Sequence, residues 1–421
     1  MATTLTAPEQ TERTIAGPPR VLSVDLLRGL TIAFMILVND PGDWSHVFAP
    51  LDHSPWNGWT LTDLVFPTFL FLVGASIIFS LDARARARKG DCRKTLSGHI
   101  ILRCLKILLL QYILVFFPNM HWHTMRLYGV LPRIALCYLI AGLILIATMK
   151  LKSRVPVLIG IVAALLIGYW ALLRFVPIPG IGTPGRDIPF MDQTQNLTSW
   201  IDRGAMAFTQ RWLHTGRLYL TARDPEGLLS TLPSVATTLL GAVTGLWMRQ
   251  THGGQSIVAP RGSSDLRRMQ LTLAIAGILG VLAGELWSPW FPINKNLWTS
   301  SFVLLTAGWA ALALSALSWI VDRRPEPWPR WLRITTWPWF VFGSNAIAAY
   351  TVSVILVEAS LFIKIIGPDG LMRTLWALYY NTVFAGHGST NWTSLAFAIS
   401  IVILCFLPNW WLWRHKKFLK I

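Results

Sequence analysis

The sequence predicts an all-α polytopic membrane protein with about ten transmembrane helices, both termini cytoplasmic and one long outside loop. Three observations lead to this fold class. Hydrophobic residues make up 53% of the 421-residue chain and charged residues only 14%, whereas about a quarter of a soluble domain is charged. Apolar runs of about 20 residues, long enough to cross a bilayer as helices, recur along the chain. Lysine and arginine concentrate in alternate loops.

Ten segments are predicted to span the membrane, and polar stretches separate them. Residues 1–20 are polar and predict a disordered cytoplasmic tail without a signal peptide, so that 21–421 form the transmembrane domain. A long polar segment at about 176–228 is predicted as an outside loop. The predicted spans are 21–39, 61–82, 99–117, 127–149, 154–175, 229–249, 269–287, 297–320, 338–362 and 391–412.

The distribution of basic residues predicts the orientation. Lysine and arginine cluster in the loops on the side of the N-terminus, whereas the short loops on the opposite side contain only Arg126, Lys295, Lys364 and Arg373. Cytoplasmic loops carry such an excess, which places both termini in the cytoplasm. The same loops account for the net charge of +17. We therefore expect the lipid bilayer, and no nucleic acid, as a partner.

An ionisable cluster stands at the entrance of the second span, in "DHSPWNGWTLTD". His53 lies in the outside loop and Asp63 begins the span. A carboxylate bordering a span is costly unless it is paired, which makes Asp63 a functional candidate. The alternative is a helix cap, because aspartate near a helix N-terminus is favoured by the helix dipole. A single loop histidine indicates little by itself.

Other polar residues are predicted at the same depth of the membrane. Arg133 lies in the fourth span, Glu226 precedes the sixth, and Lys295 and Asn296 precede the eighth. These charges form either interhelical pairs that hold the bundle together or a polar cavity that opens outward. Five separate elements at one level favour the cavity, counting the entrance of the second span and Glu285 at the end of the seventh.

Five motifs in order resemble the heparan-alpha-glucosaminide N-acetyltransferase family. They are "RVLSVDLLRGLTIAFMILVN", "HSPWNGWTLTDLVFPTFLFLVG", "GVLPRIALCY", "DPEGLLSTLPSVATTLLGAVTG" and "PINKNLWTSSFVL". Pro132 in "GVLPR" departs from the glutamine that the family often has there. The chain looks like a bacterial member without the luminal N-terminal domain of the animal enzyme. The resemblance implies a transmembrane acyltransferase of the bacterial inner membrane, which moves acetyl from cytoplasmic acetyl-CoA to an outside amino sugar or glycan.

The resemblance also assigns the reaction centre. The active-site histidine falls on His53, an asparagine on Asn39 and the aspartate of the motif on Asp63. His53 would act as general base or would carry the acetyl group covalently, and both alternatives stay open. Asn39 would orient His53 or bind the thioester oxygen. Asp63 would fix the histidine tautomer or pair with Arg133. Substrate-binding positions are expected at Trp56, Asn57, Glu226, Lys295 and Asn296.

Acetyl-CoA is expected as a co-substrate, with no tightly bound cofactor and no metal. Its phosphates need cations near the cytoplasmic face, and Arg28 is preferred because it shares a helix with Asn39, about 16 Å away at 1.5 Å per residue. Arg103 and Lys106 are predicted to be ordinary topological anchors. The other predicted acetyl-CoA-binding residues are Arg133, Ser344 and Asn345.

Two other functions remain open. One is an O-acetyltransferase of a cell-envelope glycan, which would use the same donor. The other is a transporter or flippase, because prolines near span ends are typical of broken helices, although no inverted repeat is visible. The resemblance and the large bundle surface are compatible with a homodimer.

Overall fold

The computed structural model describes residues 21–86, 92–118, 120–251, 263–323, 328–367 and 370–419. The predicted tail, 1–20, lies outside the described residues. Short 3₁₀ turns at Ala49–Leu51 and Thr62–Leu64 and a π-helical turn at Tyr380–Phe384 accompany the longer elements. These are α1 (Leu22–Asn39), α2 (Val65–Arg86), α3 (Arg93–Phe116), α4 (Val130–Ala147), α5 (Arg154–Phe175), α6 (Leu197–Leu213), α7 (Thr231–Thr251), α8 (Ser263–Trp287), α9 (Ser300–Val321), α10 (Arg330–Ser344), α11 (Ala346–Phe362), β1 (Lys364–Ile366), β2 (Met372–Thr374), α12 (Leu375–Tyr379) and α13 (Asn391–Arg414).

The helical membrane architecture is confirmed. Within the described ranges, nine helices are long and apolar enough to cross a bilayer, and a bent helix pair brings the number to ten. The two short strands form one antiparallel hairpin, with Ile365 opposite Arg373. The chain is therefore an all-α polytopic membrane protein.

The ninth predicted span, 338–362, is wrong as a single helix. The structure divides it into α10 and α11, which meet at Asn345 with a bend of 81°. Asn345 has a non-helical backbone (φ −133°, ψ 44°), and its side chain binds the backbone of Lys417 and Leu419. The Asn345 side chain thus ties the break to the C-terminal segment.

The predicted outside loop at 176–228 contains α6, which hydropathy does not indicate. Trp200, Phe208 and Trp212 are exposed on one stripe of α6, whereas Asp202 and Met206 are buried on the other side. The spacing of four and eight residues is typical of one face of an amphipathic helix. Its modest apolarity kept α6 out of the span prediction.

Helices α2 and α7 pack closely against each other through glycines. Gly74 of α2 lies against the backbone of Thr238 in α7, and Gly241 of α7 lies against the backbone of Phe71 in α2. Small residues allow two membrane helices to approach at backbone distance. This reciprocal contact fixes α2, the helix that follows Asp63, against α7.

We expect Gly74→Ala to destabilise the fold. A Cβ at Gly74 would lie 1.8 Å from the carbonyl oxygen of Thr238, so the two helices must separate. Such overpacking typically costs about 1–3 kcal/mol. Unfolding in detergent measures the loss. Gly160→Ala is the control, because a Cβ at Gly160 of α5 would meet nothing within 4 Å. Equal stability of both variants would contradict the close packing of α2 on α7.

Candidate functional site

His53 lies at one end of the bundle, in the loop between α1 and α2. We call this the His53 end, and the opposite end, where α1 begins, the Arg28 end. Nδ1 of His53 lies 2.8 Å from Oδ1 of Asp63. The Asp63 side chain is 1% exposed, whereas that of His53 is 38% exposed. A buried carboxylate thus holds a ring that still reaches solvent.

Asp63 also organises the loop that carries His53. Its Oδ2 accepts hydrogen bonds from the backbone N–H groups of Ser54 and Thr60, each at 3.1 Å. These donors precede Asp63 in the chain, so the carboxylate closes the loop and does not cap the first turn of α2. The alternative prediction, that Asp63 pairs with Arg133, is wrong, because Asp63 pairs with His53 and Lys295.

Lys295 completes a cluster of three ionisable side chains. It comes from the loop between α8 and α9, and its Nζ lies 3.2 Å from Oδ1 of Asp63. The same Nζ lies 2.9 Å from Nδ1 and 3.3 Å from Nε2 of His53. Burial lowers the pKa of Lys295, although the negative charges of Asp63 and Glu226 oppose that shift.

The contacts at Nδ1 of His53 define two arrangements of the proton. Nδ1 can donate to Asp63 when it carries the proton, or accept from Lys295 when it does not, but one nitrogen cannot do both. In the first arrangement Nε2 keeps its lone pair. That nitrogen then serves as a base or a nucleophile, and Asp63 fixes the tautomer.

Trp56 and Asn57 anchor the His53 loop to the rest of the protein. Nε1 of Trp56 donates to the carbonyl of Met191 at 3.0 Å, and the Arg223 guanidinium lies 4.4 Å from the centre of the Trp56 ring. Oδ1 of Asn57 accepts from Nδ2 of Asn294 at 3.1 Å. Both residues, predicted to bind substrate, therefore connect the His53 loop with the 176–228 segment and the α8–α9 loop.

Glu226 belongs to a second charged cluster. Arg126 donates to Oδ1 of Asp224 at 2.6 Å and also pairs with Glu226. Burial of Arg126 opposes its charge, but hydrogen bonds and attraction from the two carboxylates hold its pKa above the ordinary value. The sequence indicated Arg126 only as a loop cation. The acidic "DPEG" motif was the available signal that a cation must lie nearby.

We expect Arg126→Ala to destabilise the protein strongly. Asp224 is fully buried, and losing its cation leaves an uncompensated carboxylate, which typically costs about 3–5 kcal/mol. The midpoint of thermal unfolding in detergent measures the effect. Arg186→Ala is the matched control, because Arg186 forms an exposed ion pair with Asp187. An Arg126 variant as stable as the Arg186 variant would show that the cluster is not structural.

The other predicted residues at this end are more dispersed. Arg133 is fully buried in α4, where it donates to the carbonyl of Gly227 at 2.9 Å and to Ser230. Its guanidinium lies 5.1 Å from the centre of the Trp298 ring. Asn39 is exposed at the last residue of α1. Asn296 is partly buried beside Lys295.

A cavity of about 300 Å³ lies between the helices, and its wall includes three of the four residues predicted to bind acetyl-CoA: Arg28, Ser344 and Asn345. Arg133 is not part of this wall. Arg28 donates to Asp25 at 3.0 Å and to Ser76 at 2.8 Å, which fixes its guanidinium at the cavity. The cavity thus carries a positioned cation at the Arg28 end.

Arg103 is a second cation in the cavity wall, although the sequence indicated only a topological anchor. Its guanidinium lies 4.8 Å from the centre of the Tyr138 ring. Lys106, three residues later, is exposed and is absent from the wall. Ser76, Ser80 and Tyr350 also line the cavity, and no motif indicated them.

The cavity approaches the His53 cluster from the membrane interior. Phe66, Val130 and Leu131 line it, and they stand near the ends of α2 and α4 that face the His53 end. Phe66 follows Asp63 by three residues, across the junction between the 3₁₀ turn Thr62–Leu64 and α2. The cavity wall and the ionisable cluster therefore include nearby residues of the same chain segment.

Fold and site together define an integral membrane protein whose internal cavity leads towards a histidine–aspartate–lysine cluster. Residues 20–277 match the family model described as "Heparan-alpha-glucosaminide N-acetyltransferase, catalytic". The chain belongs to this family. The matched segment contains His53 and Asp63 and ends before Lys295.

Two relatives carry the name heparan-alpha-glucosaminide N-acetyltransferase. The protein from Homo sapiens is 29% identical over 376 residues, which cover 81% of this chain and 53% of the human protein. The protein from Mus musculus is 29% identical over 384 residues, which cover 82% of this chain and 55% of the mouse protein. The chain spans about half the length of these relatives.

Proposed function

We propose that the chain is a transmembrane N-acetyltransferase of a bacterial inner membrane, which moves acetyl from cytoplasmic acetyl-CoA to an amino sugar or glycan on the outer side. The observation that carries the proposal is the cavity that runs from Arg28 and Arg103 towards the His53–Asp63 pair. Family membership supports the reaction type. The names of the human and mouse relatives support an amino sugar as acceptor.

The Arg28 end would receive the donor. A volume of about 300 Å³ is at the small end of ligand pockets, which suits the acetylated pantetheine arm better than the whole coenzyme. The phosphates would remain at the mouth, where Arg28 and Arg103 supply positive charge. Acetyl-CoA would act as a co-substrate and leave as CoA.

The His53 end would carry out the transfer. The acceptor amine must lose a proton when it attacks the thioester carbon, and Nε2 of His53 would take that proton. In the alternative, Nε2 would first accept the acetyl group and then pass it to the amine. Asp63 would hold the required tautomer. Asn39 remains proposed as a hydrogen-bond donor to the developing oxyanion.

The acceptor would bind where the His53 loop meets the 176–228 segment. Asn57 and the partly exposed Trp56 are proposed to contact the sugar, and Asn296 lies beside Lys295. A tryptophan face suits the apolar side of a sugar ring, while amides recognise its hydroxyl groups. Glu226 would contribute through its pair with Arg126.

A two-compartment transfer assay tests the proposal. The protein is reconstituted into sealed liposomes with labelled acetyl-CoA on one side and glucosamine on the other. The orientation of the protein in the liposomes is measured by labelling the Lys152→Cys variant with a membrane-impermeant thiol reagent. The variant also carries Cys92→Ser, because Cys92 is partly exposed and would react as well. We expect labelled N-acetylglucosamine opposite the donor, with acetyl-CoA required on the side of residue 152.

The same assay separates the alternatives. Methyl glucoside replaces glucosamine in a matched reaction, and preferential labelling of this hydroxyl-only sugar would indicate an O-acetyltransferase. A transporter would move acetyl-CoA or the sugar across unchanged. Absence of acetyl transfer to either acceptor, in liposomes whose orientation is verified, would contradict the proposal.

A further inference from the structure

The amine of Lys295 lies where an acceptor amine would have to come. Its Nζ is 2.9 Å from Nδ1 and 3.3 Å from Nε2 of His53. A general base takes a proton from a group within hydrogen-bond reach, about 2.6–3.2 Å between heavy atoms or through one water. The contact joins the α1–α2 loop to the α8–α9 loop, so tertiary structure holds the amine at this position.

The surroundings of Lys295 favour a reactive amine. Its side chain is 21% exposed, and Asp63 is the carboxylate within 4 Å. Burial lowers its pKa in spite of the opposing charges of Asp63 and Glu226, so more of the neutral amine is present than at an exposed lysine. The neutral fraction of this partly desolvated lysine is the nucleophile, while the protonated fraction balances Asp63.

We propose that Lys295 is a self-acetylation site: when no acceptor sugar is bound, the protein transfers the acetyl group of acetyl-CoA to Nζ of Lys295. This inference rests on the proposed function, because the acetyl group must reach His53. In the direct step, Nζ attacks the acetyl carbon, the new N–C bond forms and the C–S bond breaks. CoA leaves as the thiolate, and the proton lost by the amine passes through His53 to the thiolate.

Self-acetylation inactivates the protein. The product is a stable, neutral amide, which no longer balances the buried charge of Asp63 and which places an acetyl group against the His53 ring. An acceptor sugar must displace the Lys295 amine from His53 in order to react. Acceptor binding therefore protects the lysine, and the protein loses activity when donor is present and acceptor is absent.

Peptide mass spectrometry tests the inference. The purified full chain is incubated with acetyl-CoA alone, then digested and analysed for one added acetyl group on the peptide that contains Lys295. We expect acetylation at Lys295 to exceed that at Lys364, an exposed lysine of the same end of the bundle, by at least tenfold. Added glucosamine should suppress the modification, and His53→Asn should abolish it.

An activity measurement provides the second readout. Wild-type protein, preincubated with acetyl-CoA, should lose turnover in proportion to the acetylated fraction of Lys295. Lys295→Arg keeps a positive charge near Asp63 without an amine that accepts acetyl. It should start at reduced turnover but lose none during preincubation.

The outcomes separate this inference from the proposed function. Transfer to glucosamine with an unmodified Lys295 would overturn self-acetylation and leave the acetyltransferase proposal intact. Acetylation at Lys295 that matches Lys364, or that persists in His53→Asn, would show ordinary chemical acetylation and also overturn it. Absence of both transfer and self-acetylation would refute the proposed function and this inference together.

Discussion

His53→Ala is expected to reduce acetyl transfer by about 10²–10⁴-fold, the range typical of a lost general base. The loss should be larger if His53 carries the acetyl group, because the intermediate cannot form. The affinity for acetyl-CoA should change little, since His53 is not part of the cavity wall. Turnover with glucosamine and calorimetric binding of acetyl-CoA to the same preparation measure the two effects.

His46 is a close control for His53. It lies in the same loop, and its Nδ1 is 2.8 Å from Oδ2 of Asp43, which matches the His53–Asp63 distance. The His46 side chain is 42% exposed. Among the described residues, no lysine contacts His46 as Lys295 contacts His53. His46→Ala should keep near-normal turnover. A His53 variant with normal turnover would show that the histidine is structural.

Hydropathy and charge distribution predict most of the fold because membrane spanning leaves a strong one-dimensional signal. A helix of about 20 apolar residues must satisfy its own backbone groups in lipid. The break at Asn345 gives no such signal, since both halves remain apolar. The local clue was Gly343-Ser344-Asn345, three poor helix formers in succession. The tie from Asn345 to the C-terminal segment depends on tertiary structure.

The candidate site was predictable only in part. The motif around His53 identified the histidine and Asp63, which lie ten residues apart and meet in one loop. Lys295 is 242 residues from His53, so spacing cannot indicate their contact. Arg103 illustrates the opposite difficulty. A cation near a span end is usually an anchor, and only the position of the cavity separates Arg103 from Lys106.

Asp63→Asn is expected to reduce turnover by about 10²–10⁴-fold while acetyl-CoA affinity is preserved. Oδ2 of Asp63 faces the N–H donors of Ser54 and Thr60, so the asparagine carbonyl must take that position. Its NH₂ group then replaces Oδ1 and points a donor at Nδ1 of His53. Nδ1 becomes an acceptor, Nε2 takes the proton, and the ring loses the lone pair that transfer requires.

Asp43→Asn distinguishes this tautomer effect from a general loss of charge at the His53 end. Hydrogen bonds from Ser389, the Ser45 backbone and His46 lower the pKa of Asp43 to about 2, so the control also removes an ionised carboxylate beside a histidine. We expect it to leave turnover within about twofold of wild type. For Asp63→Asn, a fall in kcat with an unchanged KM for acetyl-CoA indicates a positioning role. Parallel loss of acetyl-CoA binding would instead mean that Asp63 maintains the loop, because a carboxylate that only orients His53 has no contact with the donor cavity.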